Sequence, residues 1–167
     1  MAHNKSTMMI TRTARGRGSV LAASSRAFLR FNRGVLALPL PLQGWVLMLV
    51  GVNIVAPTFF FEHAEARVVL AAGVTGLVLM TMLTARFGFS RILGLGHILW
   101  APMIVYLWGR LDQVGAQDAF GLWLWTVILM DAISLLFDGA DVWRFLRGER
   151  GETVSGLDAA AQMQVGA

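Results

Sequence analysis

Asp131, Ser134, Asp138 and Asp141 recur at intervals of three and four residues inside the otherwise apolar run Phe120 to Asp141. On a helix turning about 100° per residue they project within about 80° of one another, so they form one polar stripe. An ionised carboxylate at the centre of a bilayer costs at least about 2.5 to 3.5 kcal/mol, which forces such a stripe to face other helices or water. Two further polar groups, Asn53 and His97, lie inside other apolar runs. Depth along the helices suggests which of these meet. At 1.5 Å per residue, Asp131 lies about 18 Å and Asp138 about 8 Å from Trp143, His97 about 8 Å from Ile92, and Asn53 about 18 Å from Pro41. The matching levels pair His97 with Asp138 and Asn53 with Asp131. Gly94, His97 and Ala101 share a helical face, and small residues beside the histidine admit a neighbouring helix.

Two chemistries suit this set. Interhelical hydrogen bonds in membranes average about 0.6 kcal/mol and fix which helix packs on which. Intramembrane acids and a histidine titrating near neutrality are also what a proton relay needs. Packing is the preferred reading, because Asp138 and Asp141 lie close enough to the interface to reach water.

The elements that must position these residues are helices that cross a membrane. Of 167 residues, 56% are hydrophobic and 14% charged, against about 25% charged in soluble domains, and the mean hydropathy is +0.63. The apolar residues fall in four blocks, about 41–61, 68–85, 92–108 and 120–141, each of about the length that spans hydrocarbon as a helix. The links between them are short, which favours antiparallel neighbours. The expected fold is an all-α integral membrane protein: a four-helix up-down transmembrane bundle over 35–145, preceded by a basic segment over 1–34 and followed by a mobile tail over 146–167.

Seven of the 14 basic residues stand in the first 34 positions, where there is no acid. Nothing is periodic up to about Gly18, so disorder is expected there. From Ser19 to Arg33 a helical projection sets Arg26, Arg30 and Arg33 against Val20, Leu21, Ala27, Phe28 and Phe31, with Leu29 a misfit. That pattern is a short basic helix on an anionic membrane surface. Arg144, Arg147 and Arg150 form a second basic cluster after the last block, suited to docking lipid or a partner. Counting Lys and Arg gives 12 on the side of the termini and the 86–91 link, against Arg67 and Arg110 on the other. Both termini are therefore assigned to the cytoplasmic side of a cell (inner) membrane. Phe59 to Phe61, Tyr106, Trp108, Trp123 and Trp125 supply the outer aromatic belt, and Trp45 and Trp143 the inner one. An Arg- and Ser-rich, acid-free start also fits a transit peptide, which would move the protein to the mitochondrial inner membrane. A secretory signal ending at Ala64-Glu65-Ala66 is the remaining rival, with a leader and apolar run too long for that class.

Other features carry less. Pro102 should kink the third helix by removing the partner of the Ile98 carbonyl. Ala72, Gly73, Thr75 and Gly76 give the second helix a small-residue face. Glu62, His63 and Glu65 are read as a solvated loop, because three ligands on so short a link seldom close a tetrahedral metal site. Gly94-Leu95-Gly96 lacks the preceding strand a dinucleotide fingerprint needs, and the nine Met are packing filler. There is no Cys, which excludes disulfides and thiolate chemistry. No metal site and no cofactor is expected. The pI near 11 reflects the basic start rather than a nucleic-acid module.

Three classes of function remain: an accessory or assembly subunit of a membrane complex, a homo-oligomeric proton-coupled or small-solute transporter or channel using Asp131 and Asp138, and a membrane enzyme. The enzyme is weakest for want of an acid/base or metal constellation. The expected reading is the subunit, with anionic lipid and membrane proteins as partners, homo-oligomerisation kept open, and transport as the alternative.

Overall fold

The computed structural model describes residues 24–114 and 118–151, which form helices and the turns between them. The non-periodic start, the first turn of the basic helix with Val20 and Leu21, and the tail beyond Gly151 lie outside the described residues. Four runs, Leu40–Phe60, Ala64–Phe87, Arg91–Trp108 and Ala119–Leu146, are helices long and apolar enough to cross a membrane. Their outward faces are apolar, with Leu47, Val105, Leu122 and Leu136 each exposed by two thirds or more.

A first helix, α1, covers residues 24–36 and turns directly into α2, Leu40–Val50. Gln43 ties that turn, donating from Nε2 to the carbonyls of Leu36 and Leu38 at 2.8 Å each. Ala27 and Phe31 of α1 are buried, and the Phe31 ring lies 6.1 Å from Phe89. Part of the face that the helical projection turns toward lipid is thus spent on the protein itself. Phe28 and Leu29 remain exposed.

The first apolar run does not stay α-helical. Pro57 has no N–H to donate to the carbonyls four or five residues before it. The ladder slips into a π turn over Gly51–Val55, where the Ala56 N–H bonds to the Gly51 carbonyl, and then into a 3-10 turn over Ala56–Phe60. This frees the Val52 carbonyl, which accepts from Trp123 Nε1 at 3.0 Å. Trp123 is consequently buried at 7% exposure against Phe60 and Phe120, and not part of an outer aromatic belt.

α3, Ala64–Phe87, ends at Gly88, whose φ of 70° suits glycine and whose N–H closes on the Thr84 carbonyl. The chain then enters a seven-residue 3-10 segment, Arg91–His97, before α4, Trp100–Trp108. The Pro102 kink is therefore a change of helix type that begins upstream of the proline. A 3-10 helix has about three residues per turn, so Arg91, Gly94 and His97 eclipse in one row. Ala101, expected on the same face, is exposed, because the 100° projection fails across that change.

α5, Ala119–Leu146, is capped by Asp118, whose side chain accepts from the Gly121 N–H at 2.7 Å. The third run is the central one, packed against both α3 and α5. Glycine allows the first of these contacts: a Cβ on Gly76 would lie 2.9 Å from the Gly96 carbonyl oxygen, and one on Gly96 would run into Met80 Cγ. The main core joins Val69, Leu107, Leu124 and Val127, all at 0% exposure. A smaller cluster of Phe31, Phe89, Ile92, Leu93 and Phe145 brings α1, the 88–93 turn and the end of α5 to one end of the molecule.

Candidate functional site

The polar stripe of α5 is engaged along its whole length by the other helices. Asp131 is fully buried and accepts from Asn53 Nδ2 at 2.8 Å. Asn53 sits in the π turn, at 2% exposure, and also donates to the Leu49 carbonyl at 3.2 Å. One turn along, Ser134 Oγ accepts from Trp45 Nε1 at 3.1 Å. Next, His97 Nδ1 meets Asp138 Oδ2 at 2.8 Å, and the imidazole stacks on Trp100 with ring centroids 3.9 Å apart. At the end, Arg91 Nη1 donates to Asp141 Oδ1 at 2.6 Å. Arg91 Nε also lies 3.5 Å from Glu149, which accepts from Arg144 Nε at 3.0 Å, extending the seam into the turn after α5.

Local helix type decides who meets whom. The eclipsed row of the 3-10 segment offers Arg91, Gly94 and His97 to Asp141 and Asp138, which lie three residues apart on α5. Gly94 is the point of closest approach: a Cβ there would stand 2.9 to 3.0 Å from Cβ, Cα and the carbonyl oxygen of Asp138. The α-helical depth match thus joins the residues that meet, although the row that holds His97 winds differently.

Asp131 Oδ2 and Asn53 Oδ1 are buried and meet no donor among the described residues. Both are acceptors, so the pair is short of a donor hydrogen. Among the seam residues Asp131, Asp138, Asp141, His97 and Arg91 are ionisable, and Asn53 is a neutral hydrogen-bonding partner. Every stripe residue has a cross-helix partner, and Asn53, His97 and Asp138 also line a cavity beside the seam.

At the opposite end, Glu65 at 4% exposure accepts from Arg110 Nε at 2.7 Å. The Glu65 carboxylate beside it holds the Arg110 guanidinium above its usual range. His63 stacks on Phe120 with centroids 3.8 Å apart. Two of the three residues in the Glu62, His63, Glu65 link are thereby tied to other elements.

Of the basic residues assigned to docking, Arg26 and Arg33 are exposed and Arg30 is half-buried on α1. Arg144 pairs with Glu149, Arg147 lies over the Trp143 ring at 4.7 Å, and Arg150 over Phe145 at 5.8 Å. The three Arg residues after the apolar part of α5 are all exposed.

Sequence reasoning passed over Trp45, Trp123, Arg91 and Arg110 as members of polar contacts. Pro57 was the available signal for Trp123, because a proline inside an apolar helix leaves a carbonyl that needs a donor. Trp45 and Arg91 have side chains long enough to reach about a turn along the helix, which depth matching by Cα position does not register.

Comparison with known protein families, curated proteins and solved structures finds no match to this chain.

Proposed function

We propose that this is a small multi-pass membrane protein, arranged as an up-down bundle with both termini on the cytoplasmic side of the inner membrane, that serves as an accessory or assembly subunit of a membrane complex. The observation that carries the reading is the closure of the polar seam. Asp131, Ser134, Asp138 and Asp141 are each held by a side chain from another helix, as expected of groups that fix helix pairing in lipid. With each of these groups already paired, the outer surface is the part left to meet a partner.

That surface supports the reading in two ways. Gly44 and Gly51, two turns apart on the first run, and Gly139 on α5 have no atom within 4 Å of where a Cβ would stand. Such positions allow a partner helix to come close. The exposed arginines of α1 and of the segment after α5 gather at one end through the Phe31, Phe89 and Phe145 cluster, where anionic headgroups or an acidic partner would meet them.

One feature favours the second reading, a homo-oligomeric proton-coupled or small-solute transporter. A cavity beside the seam reaches Asn53 from Arg91 and Asp141. The two readings separate on the native complex, extracted gently in its own lipid, with its mass measured and its chains identified. The subunit reading expects other chains in stoichiometric amount. A pure homo-oligomer would contradict it and move the weight to transport.

A further inference from the structure

The hydrogens of the Asn53 and Asp131 pair can be counted. Asn53 Nδ2 carries two, and both are spent, one on Asp131 Oδ1 at 2.8 Å and one on the Leu49 carbonyl at 3.2 Å. The Leu49 bond also fixes which way the amide lies, since a flipped amide would set its oxygen against that carbonyl. Two acceptors remain, Asp131 Oδ2 and Asn53 Oδ1, both buried and with no donor among the described residues. Neither has surface that a water molecule could touch, so a bridging water does not supply the missing hydrogen.

No cation compensates the carboxylate either. The first run, Leu40–Phe60, has no ionisable side chain, and α3 has none between Arg67 and Arg86. In the third run His97 is spent through Nδ1 on Asp138, Arg91 is spent on Asp141, and Tyr106 is exposed. On α5 itself the titratable neighbours Asp138 and Asp141 are acids, and Ser134 Oγ, one turn away, accepts from Trp45. Asp131 thus differs from the two acids further along. Each of those meets a cationic or protonatable side chain, whereas Asp131, at 0% exposure, meets a neutral amide.

An ionised carboxylate in this place would leave a buried charge unpaired and two acceptors unsatisfied. One added proton removes the charge and turns one of the two orphan acceptors into a donor for the other kind of group. We infer that Asp131 is a proton-binding site, holding one resident proton at neutral pH as a carboxylic acid within the pair it forms with Asn53. That proton is part of the seam whether the protein is a subunit or a transporter. It also ties the seam to pH. In the unfolded chain Asp131 ionises as an ordinary carboxylate, so the folded chain binds one proton more and its stability falls as pH rises.

Infrared spectroscopy of the full-length protein in lipid bilayers tests this. At neutral pH the spectrum should contain the carbonyl band of a protonated carboxyl group, which Asp131→Asn removes and Asp112→Asn, in an exposed turn, leaves in place. Should Asp131→Asn fail to fold, 13C labelling of the wild-type aspartate carboxyls should shift the band, Asp131 being the one buried aspartate among the described residues. Asparagine at 131 resembles the neutral acid. The SDS-titration midpoint of the wild type should therefore drop between pH 6 and pH 9, and that of Asp131→Asn should drop less. A spectrum without a protonated-carboxyl band at neutral pH, a band that Asp131→Asn or aspartate labelling leaves unchanged, or equal pH dependence of the two proteins would overturn the assignment.

Discussion

Asn53 and Asp131, 78 residues apart in sequence, meet at 2.8 Å with both side chains almost wholly buried. The contact exists because Pro57 bends the ladder of the first run into a π turn that carries Asn53, and because α5 turns its polar stripe inward. Asn53→Leu and Asp131→Leu should each destabilise the protein, and the double variant should cost less than the sum. The coupling expected is about 1 kcal/mol, within the range of interhelical bonds in membranes. Unfolding in mixed micelles by SDS titration measures it. Strict additivity would contradict a direct bond.

His97→Phe keeps the stack on Trp100 but loses the contact with Asp138. The melting temperature in detergent should fall by an amount corresponding to about 0.6 kcal/mol or more, since Asp138 then loses its partner. An unchanged melting temperature would sink the pairing.

How much of this was legible in the sequence depends on the kind of signal. Apolar block length marks out the four long helices, because hydrocarbon-spanning length is a property of the residues themselves. The pairs at two levels follow from depth, since rise per residue is nearly fixed by backbone geometry. Helix type is a different matter. Whether Arg91–His97 winds as α or 3-10 turns on Gly94 and Gly96 meeting Asp138 and Met80, a tertiary contact that no local pattern encodes. Ala101 falls outside the expected face for that reason. Trp123 was assigned to the surface by residue type, and only the carbonyl freed at Val52 explains why it turns inward.

Gly94 and Gly139 make a matched comparison. Gly94→Ala should cost about 1 to 3 kcal/mol, as its Cβ would press on the backbone of Asp138. Gly139→Ala, in open space on the same helix pair, should be neutral or stabilise by up to about 1 kcal/mol through helix propensity. Thermal melting of the two variants in one detergent checks the difference, and equal effects would argue against the close approach.

Trp123→Phe preserves most of the aromatic packing with Phe60 and Phe120 while leaving the Val52 carbonyl without a donor. A loss of about 1 kcal/mol is expected. If SDS titration returns the wild-type midpoint, the indole hydrogen bond is not what holds the π turn.

The account turns on the polar seam being a dry fastener rather than a hydrated path, and a single introduced thiol reports on this directly because the chain has no cysteine of its own. Ser134→Cys places that thiol in the seam, at a position 4% exposed, with a side chain close in size to the one it replaces. Labelling with N-ethylmaleimide in intact membranes should leave it unmodified until SDS is added, while Asp112→Cys in an exposed turn labels at once. Modification of Ser134→Cys in the folded protein at a rate approaching that of Asp112→Cys would mean that water reaches the seam, and would contradict the account.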